Sequence, residues 1–494
     1  DVYNRCLTPD NCIALVNFWR SLSNLTINVM GLSDCRASGD FWAVSQAAPM
    51  RRVNITGGNL TLMDYCTAGP QYASGGFIAD SKTGFIINGS QQQFLVRDSN
   101  IGGWSNGVWN QVFSGVVGAP AQSFGDTPYN PSPYTTLDTS PLTREKPFLY
   151  IDADGNYSVF VPALRADSRD TTWGGGSAEG TSIPISQFFI ARPTDSIKDI
   201  NVALATGKNL IFTPGIYHLD RTINVKRPDT VVLGLGFPTL VPDNGIVAMT
   251  VADVKGVKLA SLIFDAGTAN SPVLLEVGKP HGPLGAPGLN NLISDPSDPT
   301  SLQDVFFRIG GATPGKATIS LIVNSDNVLL DNIWAWRADH GNGVGWTANT
   351  AETGVIINGD NVTAYGMFVE HYQQYDLIWN GENGKTIFFQ NEMPYDPPNA
   401  TAWMHDGVYG FAAYKVADSV TIHEAWGLGS YSFFNVDPSV HATRAFEVPV
   451  TDGVKLHDIL TVFLNGFGGI DHVVNDTGAA VNSTNQVTNI VSFP

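Results

Sequence analysis

The sequence has few charged residues, few cysteines and no long apolar run. Only 15% of its 494 residues are charged, the formal net charge is −18, and no cluster of lysine and arginine offsets that charge. A negative surface repels phosphate backbones and anionic lipids, so the sequence disfavours nucleic acid and anionic membranes as partners. No apolar run approaches the about 18 residues that a membrane span requires, so we expect no insertion into a membrane.

The four cysteines are clustered near the N-terminus, with no C-x-x-C spacing among Cys6, Cys12, Cys35 and Cys66. Their even number and their clustering favour two disulfides over free buried thiols, with the pairing left open. The chain starts at Asp1 without a methionine and contains nine N-x-S/T sequons. Together these features predict a processed, secreted glycoprotein.

Glycine, proline and small polar residues are abundant. With 51 glycines and 29 prolines, the composition favours β-structure with many turns over helix bundles. At this length we expect two domains or one elongated repeat architecture. Six segments of the second half share a small polar turn followed by a β-rich stretch. Their first apolar residues are Val257, Val328, Val362, Ile387, Val420 and Val454.

The spacing of these segments predicts a parallel β-helix. From Val328 onward the first apolar residues recur at short and similar intervals, whereas the longer interval from Val257 to Val328 contains a Pro/Gly-rich insertion. Such repeats hold two or three short strands each, and the strands stack about 4.8 Å apart. An amphipathic helix is predicted from about Ser196, with Ser196 as N-cap and Asp199 in a capping box. This helix would cover the open end of the stack.

The N-terminal part shows the same pattern less regularly, since Leu25 and Val53 are separated by about one coil. We therefore predict an all-β chain with two tandem β-helix domains joined by a connector. The predicted parts are a first β-helix over 1–118, a connector rich in Pro, Gly, Ser and Thr over 119–190, and a second β-helix over 191–494. Within the connector, FLYIDADGNYSVFVPA predicts a hairpin with its turn at Asp154-Gly155.

The repeat also predicts which residues are neighbours, because equal offsets in stacked coils lie side by side. Eight positions after each anchor lie Asp265, Trp336, Glu370, Tyr395, Leu428 and Val462. The middle of this column combines an indole, a carboxylate and a phenol, which suit a sugar site. Glu392 lies three residues before Tyr395, and its aromatic and proline surroundings would raise the pKa of its carboxyl, as a general acid requires.

Several other polar residues have less specific interpretations. A solvent-exposed face of the β-helix with no function would explain any single acidic or aromatic residue. It would not explain three such residues in one register with a fourth beside them. Glu382 in NGENG is typical of a turn. Either catalysis or a turn-stabilising network could explain Arg337, Asp339 and His340. Side-chain ladders between coils are the favoured interpretation of Asn380, Asn383, Asn391, Gln91, Gln92 and Gln93.

Blocks along nearly the whole chain resemble glycoside hydrolase family 55, the laminarinase-type exo-β-1,3-glucanases. They include LVNFWRSLSNLTINV, FWAVSQAAPMRRVNITG, DYCTAGPQYASGGFIADS, NIWAWRADHGNGVGW and YQQYDLIWNGENGKTIFFQNEMPYDPP. The resemblance implies two right-handed parallel β-helices side by side, with the active site in the cleft between them. It also implies that glucose is removed from the non-reducing end of β-1,3-glucan with inversion, without a cofactor or a metal.

The resemblance also implies roles for individual residues. Glu392 in QNEMPY would be the general acid, and the terminal glucose subsite would be lined by Trp336, Glu370 and Tyr395. An inverting enzyme needs a water on the opposite face of the sugar, usually activated by a second carboxylate about 6.5–9.5 Å from the acid. The family looks like an exception in which an amide and a hydroxyl position the water. The matching residues here are Gln46 in AVSQAAP and Ser74 in QYASGGF.

One departure and two rival functions accompany this resemblance. Family members carry a further segment ahead of YNRCL, whereas this chain starts at Asp1, so we expect an omitted segment or an uncapped first β-helix. A polysaccharide lyase would need clustered Asp ligands for Ca²⁺ and a Lys or Arg base, which the column does not offer. A wall-binding β-helix would have no use for a shielded Glu392. We therefore predict a secreted, monomeric hydrolase of laminarin-type β-1,3-glucan.

Overall fold

A computed structural model describes residues 1–494 except 14, 32–34, 38, 68–73, 90–92, 106, 129–132, 177 and 281–293. Contacts divide the chain into two units. The first unit comprises Asp1–Thr143, Arg165–Glu179 and Trp426–Leu428. The second unit comprises Arg144–Leu164, Gly180–Ala425 and Gly429–Pro494.

Strands dominate both units. Up to residue 184 the strands are β1 (Arg5–Thr8), β2 (Asn11–Ile13), β3 (Leu22–Asn28), β4 (Gly39–Phe41), β5 (Pro49–Thr56), β6 (Asn59–Thr61), β7 (Gly76–Ala79), β8 (Lys82–Ile87), β9 (Gln93–Arg97), β10 (Asn100–Ser105), β11 (Asn110–Ser114), β12 (Tyr134–Leu137), β13 (Ser140–Arg144), β14 (Phe148–Ile151), β15 (Tyr157–Pro162), β16 (Leu164–Ser168) and β17 (Gly180–Pro184).

Short 3₁₀ helices lie at Ile185–Gln187 and Ala400–Ala402, and the other elements follow from residue 188 onward. They are β18 (Phe188–Ala191), helix α1 (Ile197–Ala205), β19 (Asn209–Phe212), β20 (Ile216–Leu219), β21 (Ile223–Val225), β22 (Val231–Gly234), β23 (Thr239–Pro242), β24 (Met249–Val251), β25 (Lys258–Asp265), β26 (Ser271–Val277), β27 (Thr300–Ile309), β28 (Ala317–Val323), β29 (Val328–Arg337), β30 (Thr353–Ile357), β31 (Thr363–Glu370), β32 (Leu377–Trp379), β33 (Gly384–Glu392), β34 (Met404–His405), β35 (Val408–Tyr409), β36 (Tyr414–Val416), β37 (His423–Ser432), β38 (Ala442–Glu447), β39 (Val454–Phe463), β40 (Ile470–Val474) and β41 (Val487–Phe493).

The first unit is built on a ten-stranded sheet with parallel pairing. Leu25 of β3 pairs with Val53 of β5, which confirms the predicted spacing of one coil. β5, β7, β9, β11 and β12 continue the stack. Its core consists of fully buried side chains from successive coils, among them Met50, Ile78 and Phe94. The all-β, parallel β-helix prediction is confirmed for this unit.

Two disulfides lie in the N-terminal part of the first unit. Cys6 pairs with Cys12 across the short β1–β2 ribbon, and Cys35 pairs with Cys66, so the prediction of two bridges is confirmed and the pairing is now assigned. β1 is exposed along its length, so cross-links replace core packing there. In the described part of the chain, no helix is long and apolar enough to cross a membrane.

The second unit is a longer parallel β-helix with two main sheets. One has thirteen strands and includes β25, β27, β29, β31 and β33 as direct neighbours, and the other has nine and runs from β21 to β40. Inward-facing apolar residues, such as Leu330, Ala364 and Ile387, are fully buried. Successive coils thus bury one another's apolar surface, which is the main source of stability in a repeat architecture.

Both ends of this stack are covered. Helix α1 starts as predicted, because the Ser196 hydroxyl accepts from the Asp199 amide at 3.1 Å and donates to the Asp199 carboxylate at 2.7 Å. Its buried face includes Ile197 and Ile200. At the other end, β41 pairs antiparallel with β39. These covers shield sheet edges on which another chain could otherwise add a strand.

The contacts divide the predicted connector, residues 119–190, between the two units. Strand β12 stacks on β11 as a further parallel strand of the first unit. The predicted hairpin is confirmed as β14 and β15, with Gly155 in its turn at φ +84°, and it packs its apolar face, including Val159, against Phe188 and Ile211 of the second unit. Residues 119–143 and 165–179 of this segment therefore belong to the first unit, and residues 144–164 and 180–190 belong to the second.

Asparagine ladders run between coils, as predicted. The side-chain amide of Asn380 donates to Asn358 at 2.7 Å, and that of Asn383 donates to Asn361 at 2.8 Å. The Asn391 amide donates to a backbone carbonyl of the preceding coil at 2.9 Å. Two of the residues predicted to form ladders lie outside the described part, namely Gln91 and Gln92. The prediction was wrong for Gln93, because its buried side-chain amide makes no hydrogen bond within the described residues.

Glu382 holds a turn, as its sequence context predicts. Its carboxylate accepts from the backbone amides of Thr421 and Ile422 at 2.9 Å and from the Thr421 hydroxyl at 3.1 Å. Although partial burial opposes the effect, these donors lower the pKa of the Glu382 carboxyl. The residue therefore links two coils on an exposed side of the stack.

Candidate active site

A column of polar side chains follows the ends of neighbouring strands in the thirteen-stranded sheet. Trp336 near the end of β29 pairs with Glu370, the last residue of β31. Phe368 pairs with Gln390, and the His371 amide donates to the Glu392 carbonyl at 2.7 Å. This register places Glu392, the last residue of β33, next to Glu370.

The predicted register was wrong at this coil. Ile387 pairs with Tyr365, whereas the prediction matched it with Val362, so the step between these coils is shorter than predicted. Tyr395 consequently lies beyond the column, and Glu392 occupies the place predicted for it. An amphipathic pattern fits either spacing when turn lengths vary, so the pairing had to come from the backbone.

A coil was also missed in the long predicted step from Val257 to Val328. Strand β27 lies between β25 and β29, and its Arg308 pairs with both Asp265 and Trp336. The Arg308 guanidinium forms an ion pair with Asp265 at 2.6 Å. The Pro/Gly-rich insertion concealed this coil, and the outer part of the column is accordingly an ion pair rather than a lone carboxylate.

Glu392 is a shielded carboxyl, as predicted from its neighbours. It is 9% exposed, and the Tyr395 hydroxyl donates to its Oε2. The His371 Nε2 lies 3.9 Å from the same oxygen. Burial raises the pKa of the Glu392 carboxyl, and the charge of Asp339 adds to this, whereas His371 and the Tyr395 hydroxyl oppose it. The net effect favours the protonated form that a general acid needs.

Glu370 is buried more deeply, at 1% exposure. The Trp334 indole nitrogen donates to its Oε2 at 2.8 Å. Burial and the neighbouring charge of Glu392 raise the pKa of the Glu370 carboxyl well above its usual range. Two adjacent carboxyls in a poorly solvated site disfavour simultaneous ionisation, so ionisation of one raises the pKa of the other.

Asp339 differs from these two carboxyls because it stays ionised. Its Oδ1 accepts from the Trp336 indole at 3.2 Å and lies 2.9 Å from His340 Nδ1. Burial tends to raise the pKa of Asp339, but His371 and His340 outweigh burial and bring it to about 2. The same contact raises the pKa of His340. The structure thus brings Asp339 and His340 to the candidate site.

His371 belongs to the site although the sequence argument did not select it. Its Nδ1 lies 3.1 Å from the Met393 carbonyl, which can only accept, so Nδ1 carries a proton. Nε2 then points toward Asp339 at 3.8 Å and Glu392 at 3.9 Å. The ring also meets Tyr395 edge-to-face at 4.5 Å. The sequence feature that could have identified His371 is its position directly after Glu370 in FVEHYQQY.

Arg337 supports the loops around the site. Its guanidinium forms a bidentate pair with Asp396 at 2.8 and 2.9 Å and donates to the carbonyls of Asn349 at 2.8 Å and His371 at 3.2 Å. The side chain is 1% exposed. Of the two interpretations left open for Arg337, these contacts favour the turn-stabilising network.

Gln46 and Ser74 lie together in the first unit. They precede β5 and β7, whose register pairs Pro49 with Phe77, so the two residues are one coil apart as their spacing predicts. The Ser74 hydroxyl donates to Gln46 Oε1, and both side chains are buried. The other four residues predicted for the site belong to the second unit.

The second-unit cluster thus combines an indole face, two carboxyls with raised pKa values, an ionised carboxylate and two imidazoles. Aromatic faces pack on the C–H faces of sugars, and carboxyls bind hydroxyl groups and transfer protons. Within the described residues, no group of three or more His, Cys, Asp or Glu side chains is arranged to hold a metal ion.

Comparisons with known proteins agree with this chemistry. Residues 188–392 match the family described as "LAM55 pectate lyase-like domain", a range that ends at Glu392. The chain is 51% identical over 483 residues to an exo-beta-1,3-glucanase of Streptomyces sp. (strain SirexAA-E / ActE), covering 97% of this chain and 76% of the relative.

Two solved structures are also similar. SacteLam55A from Streptomyces sp. SirexAA-E matches with a TM-score of 0.89 and 51% identity, over 97% of this chain and 83% of the other. A variant of sacteLam55A in complex with glucose matches with a TM-score of 0.86 and 52% identity, over 92% of this chain and 80% of the other.

Proposed function

Because this chain belongs to glycoside hydrolase family 55, the laminarinase-type exo-β-1,3-glucanases, we propose that it releases glucose from the non-reducing end of β-1,3-glucan with inversion. Its activity class is that of an exo-β-1,3-glucanase. The observation that best supports this proposal is the environment of Glu392. Burial raises the pKa of its carboxyl, which suits a general acid, and it lies beside the paired residues Trp336 and Glu370. A glucose complex of the similar enzyme supports a glucose-sized subsite.

In the proposed mechanism, Glu392 protonates the glycosidic oxygen. The Tyr395 hydroxyl donates to Oε2, so Oε1 is the oxygen that carries the acidic proton in the resting enzyme. As the bond from the sugar C1 to the leaving oxygen breaks, the proton moves to that oxygen and Glu392 becomes a carboxylate. His371 and Tyr395, which favour the charged form, stabilise it at this point.

Trp336, Glu370 and Tyr395 are proposed to bind the terminal glucose. The Trp336 indole supplies the flat apolar face for the C–H side of the pyranose. Glu370 has a raised pKa, so its neutral carboxyl can both donate to and accept from sugar hydroxyls. Asp339 is a further candidate contact for the sugar, since its ionised carboxylate accepts a hydrogen bond from the Trp336 indole nitrogen.

Gln46 and Ser74 are proposed to position the attacking water. The Ser74 proton is engaged by Gln46 Oε1, so the Ser74 oxygen keeps acceptor capacity for a hydrogen bond from water, and the Gln46 amide can donate to it. Fixed partners orient a water without supplying a strong base. As the bond from that water to C1 forms and the bond to the leaving oxygen breaks, the water releases a proton to bulk solvent. The support for this role is the contact between the two side chains and the resemblance of their motifs to the family.

The first test is digestion of laminarin, with products followed by chromatography and by proton NMR of the anomeric signals in the first minutes. We expect glucose as the first product and as the α-anomer. Early β-glucose would mean retention and a nucleophile outside this scheme. Binding of laminarin without any product would instead favour a wall-binding protein, and an unsaturated product absorbing in the ultraviolet would favour a lyase.

Secretion and a monomeric state complete the proposal. Two disulfides are typical of proteins from oxidising compartments, and nine sequons accompany them. Light scattering coupled to gel filtration will test the monomer, and mass spectrometry of the protein from its native culture medium will test secretion. A dimer mass, or protein confined to the cells, would contradict these two points separately.

A further inference from the structure

A positively charged groove lies beside helix α1 at the covered end of the second unit. It has a volume of about 640 Å³ and runs between the exposed face of the helix and the chain from β21 onward. Four cationic side chains line it: Lys198, Arg221, Lys226 and Arg227. Within the described part of the chain, the lining contains no aspartate or glutamate. Such a concentration is unexpected in a chain with a net charge of −18.

Only some of the cationic side chains in the groove form hydrogen bonds with other groups within the described residues. Arg221 is bonded to the adjacent Asp220 at 2.9 Å, and Arg227 donates to the Gly207 carbonyl at 3.1 Å. The buried Nε of Arg227 makes no hydrogen bond within the described residues. Lys198 and Lys226 are exposed at the two sides of the groove. The ammonium groups of these two exposed lysines are therefore the donors that an oxyanion ligand can reach.

The groove also has an apolar component, and its amides are engaged. Val202, which is 52% exposed, and Pro228 form part of its floor. Two asparagines line it too, but the side-chain amides of Asn201 and Asn224 both donate to the Thr222 carbonyl at 2.9 Å, and the Asn201 side-chain Oδ1 accepts from the Asn224 backbone amide at 2.8 Å. The groove is thus poorly suited to bind neutral hydroxyl groups, because its side-chain amides are already engaged. It is better suited to a ligand that combines anionic groups with apolar surface.

We propose that this groove binds carboxylate groups of a uronic-acid-containing polysaccharide. The carboxylates would contact the ammonium groups of Lys198 and Lys226, and the apolar C–H groups of the sugar rings would pack on the exposed Val202 side chain. Because the net charge of −18 repels anionic polymers in general, binding would depend on this local group of cations and should be detectable at low salt. The enzyme would thereby attach to acidic polysaccharide while its active site takes neutral glucan.

The test uses the full chain and tri-galacturonate as probe, with binding followed by isothermal titration calorimetry at low salt. The double variant Lys198→Gln/Lys226→Gln should weaken binding by about fivefold or more, since two exposed ionic contacts are lost. The matched control Lys82→Gln/Lys455→Gln removes the same charge from exposed lysines elsewhere and should leave binding unchanged. Both variants should hydrolyse laminarin at the normal rate, so this test is separate from that of the activity.

Three results would overturn the proposal. One is the absence of tri-galacturonate binding at low salt. Another is equal weakening in the groove variant and in the control, which would indicate a general charge effect. The third is tighter binding of a DNA oligonucleotide or of inorganic sulfate than of tri-galacturonate at the same groove lysines. The variant Lys198→Arg/Lys226→Arg should restore affinity, because it restores the charge.

Discussion

The hydrogen bond between Tyr395 and Glu392 predicts how the pH dependence of hydrolysis responds to Tyr395→Phe. The Tyr395 hydroxyl donates to Glu392 Oε2 and favours the ionised carboxylate. A hydrogen bond to a charged group contributes about 1.5–3 kcal/mol, and the protonated carboxyl keeps part of that interaction. Since about 1.4 kcal/mol corresponds to one pKa unit, its loss should raise the pKa of Glu392 by roughly one unit.

The direction in which the pH profile shifts follows from the requirement that Glu392 be protonated. Activity is present below the pKa of Glu392 and is lost as the pH rises through it. Tyr395→Phe should therefore move the alkaline limb of kcat/KM upward by roughly one pH unit, while kcat at the optimum falls because the carboxylate formed in the reaction is less stabilised. The assay is initial glucose release from laminaritriose across the pH range. Tyr375→Phe, which removes a hydroxyl bonded to His405, is the matched control.

An unchanged or downward-shifted alkaline limb in Tyr395→Phe would refute the reasoning. It would mean either that another group sets the limb or that Glu392 acts in its ionised form. Glu370 would be the next candidate, because burial also raises its pKa. The same titration with Glu370→Gln would then decide between the two carboxyls.

Three further predictions concern the acid, the water and acid stability. Glu392→Gln should lower kcat by about a thousandfold while oligosaccharide binding by calorimetry persists, and normal turnover would remove the acid assignment. The control Glu447→Gln, on β38 of the nine-stranded sheet, should keep full activity. Gln46→Ala and Ser74→Ala should lower kcat roughly tenfold or more with little change in KM, and full activity in both would direct the search to a carboxylate base. Burial lowers the pKa of His423 to about 3 from 6.5, so the stability it contributes is complete above pH 6.5 and is lost as the pH falls toward 3. His423→Gln should reduce that loss by about 1.4 kcal/mol per pH unit in urea titrations, and an unaltered acid slope would contradict the assignment.

Much of the fold could be predicted because the repeat appears in the residue pattern. The Leu25–Val53 spacing, the capping of α1 by Ser196 and the hairpin around Gly155 depend on local preferences that are visible in the sequence. The division of residues 119–190 was not visible, because it depends on which apolar face each strand packs against. The coil of Arg308 was hidden because an insertion interrupted the repeat.

For the candidate site, too, the positions or roles of some residues could be predicted from the sequence and those of others could not. The sequence placed Trp336 beside Glu370, and the structure confirms that they are paired neighbours. Composition and motif likewise selected Glu392 as a shielded acid. The role of Arg337 could not be assigned, because its partner Asp396 is distant in the chain and faces it only after the loops have folded.

The sequence by itself determined the β-helix architecture, the family and the candidate acid, because each of these depends on periodic patterning or on contiguous motifs. Only the tertiary structure decided the register, which moved Glu392 rather than Tyr395 into the column and brought His371 and Asp339 to it. The physical reason is that strand pairing depends on the summed packing of whole coils. A small difference in turn length leaves the local pattern intact but changes every neighbour across the sheet.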